Sequence, residues 1–197
     1  MGMNNAQIEK IAQEIIDLYK KYGHEDYIGE PVSQIEHMCQ CAQLAEAGGY
    51  DDEVILAAFF HDIGHLYEHI MPAGSAGEHM DNFGLLDHEK LGAAYVLEKG
   101  FSLKIAKLIE SHVNAKRYLT FKEPAYYEQL SEASKQTLQF QGGKMTAEEA
   151  VVFEADSLFP LYIALRRWDE QAKLINQPLP SLEIYRQRII QHLKQKN

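Results

Sequence analysis

Apolar residues recur along this chain at helical spacing and almost nowhere in the alternation of a strand. Ile8, Ile11, Ile15, Leu18 and Tyr22 mark one face of a helix over residues 5 to 22, with Gly23 as its stop. The polar stretch HEDYIGE reads as a loop. Pro31 then suits the first turn of a helix that carries His37, Cys41 and Leu44 and ends at Gly48-Gly49. Asp51 caps a third helix, expected to run through His61-Asp62 and His65. Residues 70 to 84, with Pro72, Gly74, Gly77 and Gly84, form a long loop, of the kind that is either functional or mobile. Asp87 caps a helix that begins at His88 and stops at Gly100, and Ser102 caps the next, which carries His112 and Lys116. A further helix surrounds Tyr126 to Ser134, and TLQFQGGKM is irregular, broken at Gly142-Gly143. Thr146 and Glu149 make a capping box for a long helix reaching about Lys173, kinked at Pro160. Pro178 and Pro180 precede a last amphipathic helix, Leu182 to Leu193. The predicted fold class is all-α.

The chain has 197 residues, which suits one domain over 1–197 with a substantial core. Its net charge of -10 argues against nucleic acid and anionic membranes as partners. Cys39 and Cys41 are the only cysteines. Two residues apart on a helix, they point in different directions, which predicts reduced thiols and a cytoplasmic location. No apolar run approaches the roughly 18 residues of a membrane span, and MGMNNAQIEK lacks the apolar core of a signal peptide.

The candidate chemistry centres on His61-Asp62 in AAFFHDIGH, where an imidazole and a carboxylate follow four apolar residues. A buried carboxylate needs a cation or hydrogen bonds, and His with Asp suits a divalent metal. His37, His88, His112 and a late Asp are further candidate ligands. On one continuous helix His61 and His65 share a face, and Asp62 is turned by about 100°, with two oxygens able to bridge two ions. His24, His69, His79 and His192 lack a partner pattern and read as loop or surface residues.

The order His37, then His61-Asp62, then a distant Asp resembles the HD-domain superfamily of metal-dependent phosphohydrolases, which implies an HD-type helical bundle. His88 and His112 between the pair and that Asp resemble its dinuclear branch. Within that branch the segments DYIGEPVSQIEH, AAFFHDIGHLY, DHEKLGAAYV, SHVNAKRYL, LSEASKQTLQFQGG and LRRWDE are similar to the mixed-valent di-iron oxygenases that cleave organophosphonates. They cover most of the chain. The resemblance implies His37, His61, Asp62 and Asp169 on one iron, with His88, His112 and the shared Asp62 on the other, as an Fe(II)/Fe(III) pair. Asp156 competes with Asp169 for the late carboxylate, but Asp169 lies in the matching RRWD segment. The implied substrates are O2 and a 1-hydroxy-2-aminoethylphosphonate, as the primary amine or the trimethylammonium form. The products would be phosphate and glycine or glycine betaine.

A phosphonate dianion needs cations and donors. Lys116 lies one turn after His112, and Arg166 shares a face with Asp169. Ser134 and Thr137 add hydroxyls, and His65 is expected to contact substrate rather than metal. The resemblance further implies that Tyr27 and Glu30 close over the substrate. Glu30 would meet the cationic nitrogen and Tyr27 would hold the oxygen site until substrate arrives. A hydrolase of a nucleotide or phosphate ester would use the same ligands without oxygen. A catalytically silent HD module would have no need to maintain six buried polar ligands.

Overall fold

The computed structural model describes residues 2–27, 29–72, 78–81 and 84–196. Eleven helices occupy them: α1 (Asn5–Tyr22), α2 (Gln34–Ala47), α3 (Asp52–Phe60), α4 (Ile63–Glu68), α5 (His88–Glu98), α6 (Leu103–Lys122), α7 (Pro124–Gln129), α8 (Glu132–Phe140), α9 (Ala147–Glu154), α10 (Phe159–Gln171) and α11 (Leu182–Lys196). Among the described residues the only β pairings are two isolated bridges, Asp26 with Ser33 and His79 with Leu85. No described helix is long and apolar enough to cross a membrane.

Helix α6 lies at the centre, packed against α3, α5 and α10, while α2 covers α3 and α10, and α1 lies on α11. The core between them is built from Ile15, Met38, Leu56, Phe59, Phe60, Leu108, Ile109 and Ile189, all essentially without solvent contact. Phe59 is stacked between Tyr19 and Tyr185, with ring centroids 4.2 and 4.0 Å away. The Tyr19 hydroxyl donates to the Phe59 carbonyl, so its one polar atom is satisfied inside the core.

Local chemistry moves several boundaries from their predicted places. Helix α2 begins after Ser33, which makes a capping box with Glu36, and Pro31 stays in the loop before it. The third predicted helix is two. It breaks at His61-Asp62, where Asp62 sits at φ -105°, ψ 12°. The long helix expected from Thr146 to Lys173 is also two, because the chain bends after Glu154. Asp156 accepts there from the Leu158 N–H (2.9 Å), and Pro160 enters in the first turn of α10, where its missing N–H costs little. Ser131 caps α8 by accepting from the Ser134 N–H, so the helix around Tyr126 splits, and TLQF is helical rather than irregular. Asp87 precedes α5 in a left-handed conformation (φ 62°) without a side-chain cap bond, its carboxylate bound instead to Lys90 Nζ at 2.6 Å.

Much of the loop predicted over 70 to 84 (residues 73–77, 82 and 83) lies outside the described residues. Its end folds back, with the Met80 N–H donating to the Gly84 carbonyl (2.8 Å). Gly84 has φ +88°, and a Cβ there would stand 2.8 Å from His65 Cε1. A glycine is needed at this position both for its backbone angle and for the imidazole beside it.

Candidate metal centre and substrate pocket

Four buried imidazoles converge on Asp62. His37 comes from α2, His61 from the break after α3, His88 from the first turn of α5 and His112 from the middle of α6. Their approach depends on Gly64, since a Cβ on that residue would lie 2.0 Å from the His88 carbonyl oxygen. The HDIGH glycine therefore lets α4 rest on the backbone of α5 and brings His88 to Asp62.

The tautomers follow from the backbone. His37 Nδ1 donates to the Ala172 carbonyl (2.9 Å), His61 Nδ1 to Ala58 (2.8 Å), His88 Nδ1 to Leu85 (3.1 Å) and His112 Nδ1 to Ile109 (2.7 Å). With the ring proton of each neutral imidazole on Nδ1, the Nε2 atoms carry lone pairs. These lone pairs face one another, His37 to His61 at 3.0 Å and His88 to His112 at 3.0 Å. Paired lone pairs at that distance repel unless a cation accepts both, and carbonyl-anchored imidazoles are the usual form of metal-ligating histidine.

Asp62 divides between the two pairs. Its Oδ2 lies 3.5 and 3.3 Å from the Nε2 atoms of His37 and His61, and its Oδ1 lies 3.4 Å from those of both His88 and His112. The Oδ2 atom is buried with no hydrogen-bond partner, a costly state that a metal would relieve. His37, His61 and Asp62 thus form one group able to hold a metal ion, and Asp62, His88 and His112 another. Asp169, at the end of α10, brings Oδ1 within 3.4 Å of His37 Nε2. Asp156 lies elsewhere, bonded to Lys107 at 3.1 Å. Burial alone would raise both carboxyls, yet the surrounding imidazoles hold Asp62, and chiefly the Arg166 guanidinium holds Asp169, well below the ordinary carboxylate range.

Beside this centre is a cavity of about 70 Å³ whose lining includes Tyr27, Glu30, Asp62, His65, Lys116, Ser134, Thr137, Arg166 and Asp169. Two cations form one wall. Arg166 Nη1 donates to Asp169 Oδ2 at 2.5 Å and Nε to Glu170 at 2.9 Å, while buried Nη2 has no protein partner. Lys116 Nζ donates to Thr137 Oγ1 at 2.9 Å and lies 3.5 Å from the carbonyl of Ser134, so Ser134 offers Lys116 its backbone oxygen. Burial, with the Arg166 charge adding to it, pushes the Lys116 ammonium down to about 7. His65 stacks on His88 at 4.1 Å instead of sharing a face with His61, because the helix breaks between them. Burial presses it well below the usual imidazole range, which keeps it neutral.

Tyr27 and Glu30 also line the cavity. Tyr27 is half-buried and stacks face to face on His37, ring centroids 4.0 Å apart. Glu30 Oε1 accepts from Ser131 Oγ and from Lys173 Nζ, both at 2.6 Å. Lys173, just beyond the end of α10, is absent from the predicted site residues. Gln34, Met80 and Gln141, likewise unpredicted, line the cavity, while Lys173 reaches it through Glu30. The carboxamide oxygens of Gln34 and Gln141 are buried without partners. Gln34 lies one turn before His37, which was the available hint.

The HD-domain family model matches residues 35–161, a stretch that contains both metal-binding groups. The chain belongs to the HD-domain family. It is 39% identical over 170 residues to a [1-hydroxy-2-(trimethylamino)ethyl]phosphonate dioxygenase (glycine-betaine-forming) of Leisingera caerulea, covering 86% of this chain and 84% of that one. It is 35% identical over 175 residues to a hydroxymethylphosphonate dioxygenase of Gimesia maris, covering 87% and 82%. An uncharacterized protein of Acanthamoeba polyphaga mimivirus, L432, is 44% identical over 192 residues, covering 98% and 86%. This HD domain thus shares its sequence, across most of its length, with phosphonate dioxygenases.

Proposed function

We propose that this protein is a di-iron oxygenase of organophosphonate catabolism, which cleaves the carbon–phosphorus bond of a small 1-hydroxyalkylphosphonate with O2. The observation that carries this reading is the division of Asp62 between two lone-pair-bearing imidazole pairs, beside a cavity with two cations. His37, His61, Asp62 and Asp169 would hold one iron, and His88, His112 and the shared Asp62 the other. Bound as an Fe(II)/Fe(III) pair, iron supplies Lewis acidity and redox capacity toward O2.

The chain's own groups do the rest. Arg166 Nη2 and Lys116 take phosphonate oxygens, and Thr137 with the Ser134 carbonyl keeps the lysine ammonium aimed at them. Neutral His65 contacts the substrate from the α4 side. Tyr27 covers the His37 side from a loop and excludes water until substrate enters. The reaction balances without a further reductant. A 1-hydroxyphosphonate and O2 give a carboxylate, hydrogen phosphate and one proton, with C1 oxidised and both oxygen atoms kept in the products.

The relatives named for trimethylamino and hydroxymethyl phosphonates support this class of substrate. The size of the cavity, about 70 Å³, favours it over a nucleotide, since pockets for drug-sized ligands run to roughly 300–1,000 Å³. The buried free thiols of Cys39 and Cys41 suit the reducing cytoplasm. The test is an oxygen electrode with iron-loaded protein and three substrates: hydroxymethylphosphonate and the 2-amino and 2-trimethylammonio forms of 1-hydroxyethylphosphonate. Oxygen uptake with at least one supports the reading, and none with any of them refutes it.

A further inference from the structure

Among the described residues lining the cavity, Glu30 is the one carboxylate outside the candidate metal ligands, so a cationic substituent on a bound phosphonate would turn to it, and it is already paired. Lys173 Nζ stands 2.6 Å from Glu30 Oε1, and both side chains are largely buried. Ser131 donates to the same oxygen. Lys173 is not on a loose end. Its neighbour Ala172 accepts from His37 Nδ1, and Leu174 and Gln40 exchange two hydrogen bonds of 3.0 Å. The segment after α10 is therefore clamped to α2 on both sides of the lysine.

Each tyrosine that could offer a face to a quaternary ammonium has a neighbour on its ring, and of the three only Tyr27 is among the described lining of the cavity. Tyr27 lies on His37, and Lys173 Nζ stands 6.0 Å from its ring centroid. Tyr67 is stacked on Tyr95 at 4.5 Å, and the Arg167 guanidinium lies 5.2 Å from the Tyr126 ring. A second cation arriving at Glu30 would meet the Lys173 ammonium first, and like charges in a desolvated site repel strongly.

We propose that Lys173, by occupying Glu30, sets this pocket for a 1-hydroxyphosphonate whose carbon substituent carries no positive charge, such as a hydroxymethyl-type substrate. Lys173 is in this sense a specificity-determining residue. The inference rests on the phosphonate reading above, and it narrows the substrate expected from the sequence, in which Glu30 meets an amine.

The test uses binding, so that it does not depend on turnover. Methylphosphonate and 2-aminoethylphosphonate, which lack the 1-hydroxyl, are titrated calorimetrically into the metal-containing protein. The wild type is expected to bind methylphosphonate at least tenfold more tightly. Lys173→Met should move the ratio at least tenfold toward 2-aminoethylphosphonate, and Lys173→Arg should keep the wild-type ratio. If Lys173→Met does not fold, Glu30→Gln serves, because it strands the lysine charge and should weaken the amine ligand further relative to methylphosphonate. Equal or tighter wild-type binding of 2-aminoethylphosphonate overturns the proposal, as does a ratio that the substitutions leave unmoved. Turnover separates the two readings. A protein with the expected binding ratio that consumes no O2 with any 1-hydroxyphosphonate refutes the oxygenase and not the charge preference. Faster oxidation of the ammonium substrates than of hydroxymethylphosphonate keeps the oxygenase and overturns the preference.

Discussion

His37 and His61 meet Nε2 to Nε2 at 3.0 Å, while the Nδ1 of each is turned away to a backbone carbonyl. Neither ring can donate to the other when both are neutral, so the contact brings together two acceptors suited to a shared cation. His88 and His112 repeat the arrangement on the other oxygen of Asp62.

Metal content is the first consequence. Protein grown with ample iron is expected to carry two ions per chain. His88→Ala or His112→Ala should reduce this to about one, and Asp62→Asn, which removes the shared charge at constant size, should lose both. Elemental analysis reads the counts directly. Chelation should also lower the melting temperature, because metal at a hundredfold excess over its Kd stabilises by about 2.7 kcal/mol. Full metal content in Asp62→Asn would contradict the bridging role.

Lys116 gives a pH dependence. Its ammonium titrates at about 7 in the folded chain because burial opposes the charge, with the Arg166 charge adding to the effect. The free side chain titrates near 10.4. Between these values the unfolded chain binds more protons, so this group makes stability rise with pH from about 7 to about 10, and Lys116→Met should flatten that rise. Anion binding runs the opposite way. Affinity for sulfate, whose charge is fixed over this range, should fall above about pH 7 by up to tenfold per unit. Bound metal would shift that onset lower still. Lys116→Met should weaken phosphonate binding by about 1.5–3 kcal/mol and leave metal content intact, as titration calorimetry can check.

Arg166 should behave differently, because it serves the fold as well as the ligand. Its buried bond to Asp169 means that Arg166→Ala leaves a carboxylate uncompensated, at a cost of about 3–5 kcal/mol. A denaturant titration should therefore show a large loss for Arg166→Ala and little or none for Lys116→Met. Equal losses would contradict the assignment of Arg166 as the carboxylate's partner.

Gly64 should tolerate no side chain. A Cβ 2.0 Å from the His88 carbonyl oxygen must push α4 and α5 apart, and overpacking costs about 1–3 kcal/mol or more. Gly64→Ala is expected to lower stability and to empty the His88–His112 site before the His37–His61 site. Two ions retained at wild-type stability would refute this role.

Much of the helix order was legible in the sequence, because caps such as Ser102 and Thr146–Glu149 and the apolar face of α1 are local signals. The breaks were not. Nothing in the run from Asp51 to His65 forbids a continuous helix, and the turn at Asp62 is imposed by tertiary contacts, among them the approach of Gly64 to His88. The six residues expected at the metal centre do come together, as do Lys116, Thr137 and Arg166 around the cavity. Lys173 escaped prediction because its partner Glu30 lies 143 positions away. Pattern reading along one helix does not pair residues so distant.

The most direct measurement is phosphate release from hydroxymethylphosphonate by iron-loaded protein, in air and under strict anaerobiosis, with oxygen uptake followed in parallel. An oxygenase is expected to release phosphate only in air, with one O2 consumed per phosphate. Phosphate released equally well without O2 would contradict the oxygenase reading and identify metal-dependent hydrolysis instead.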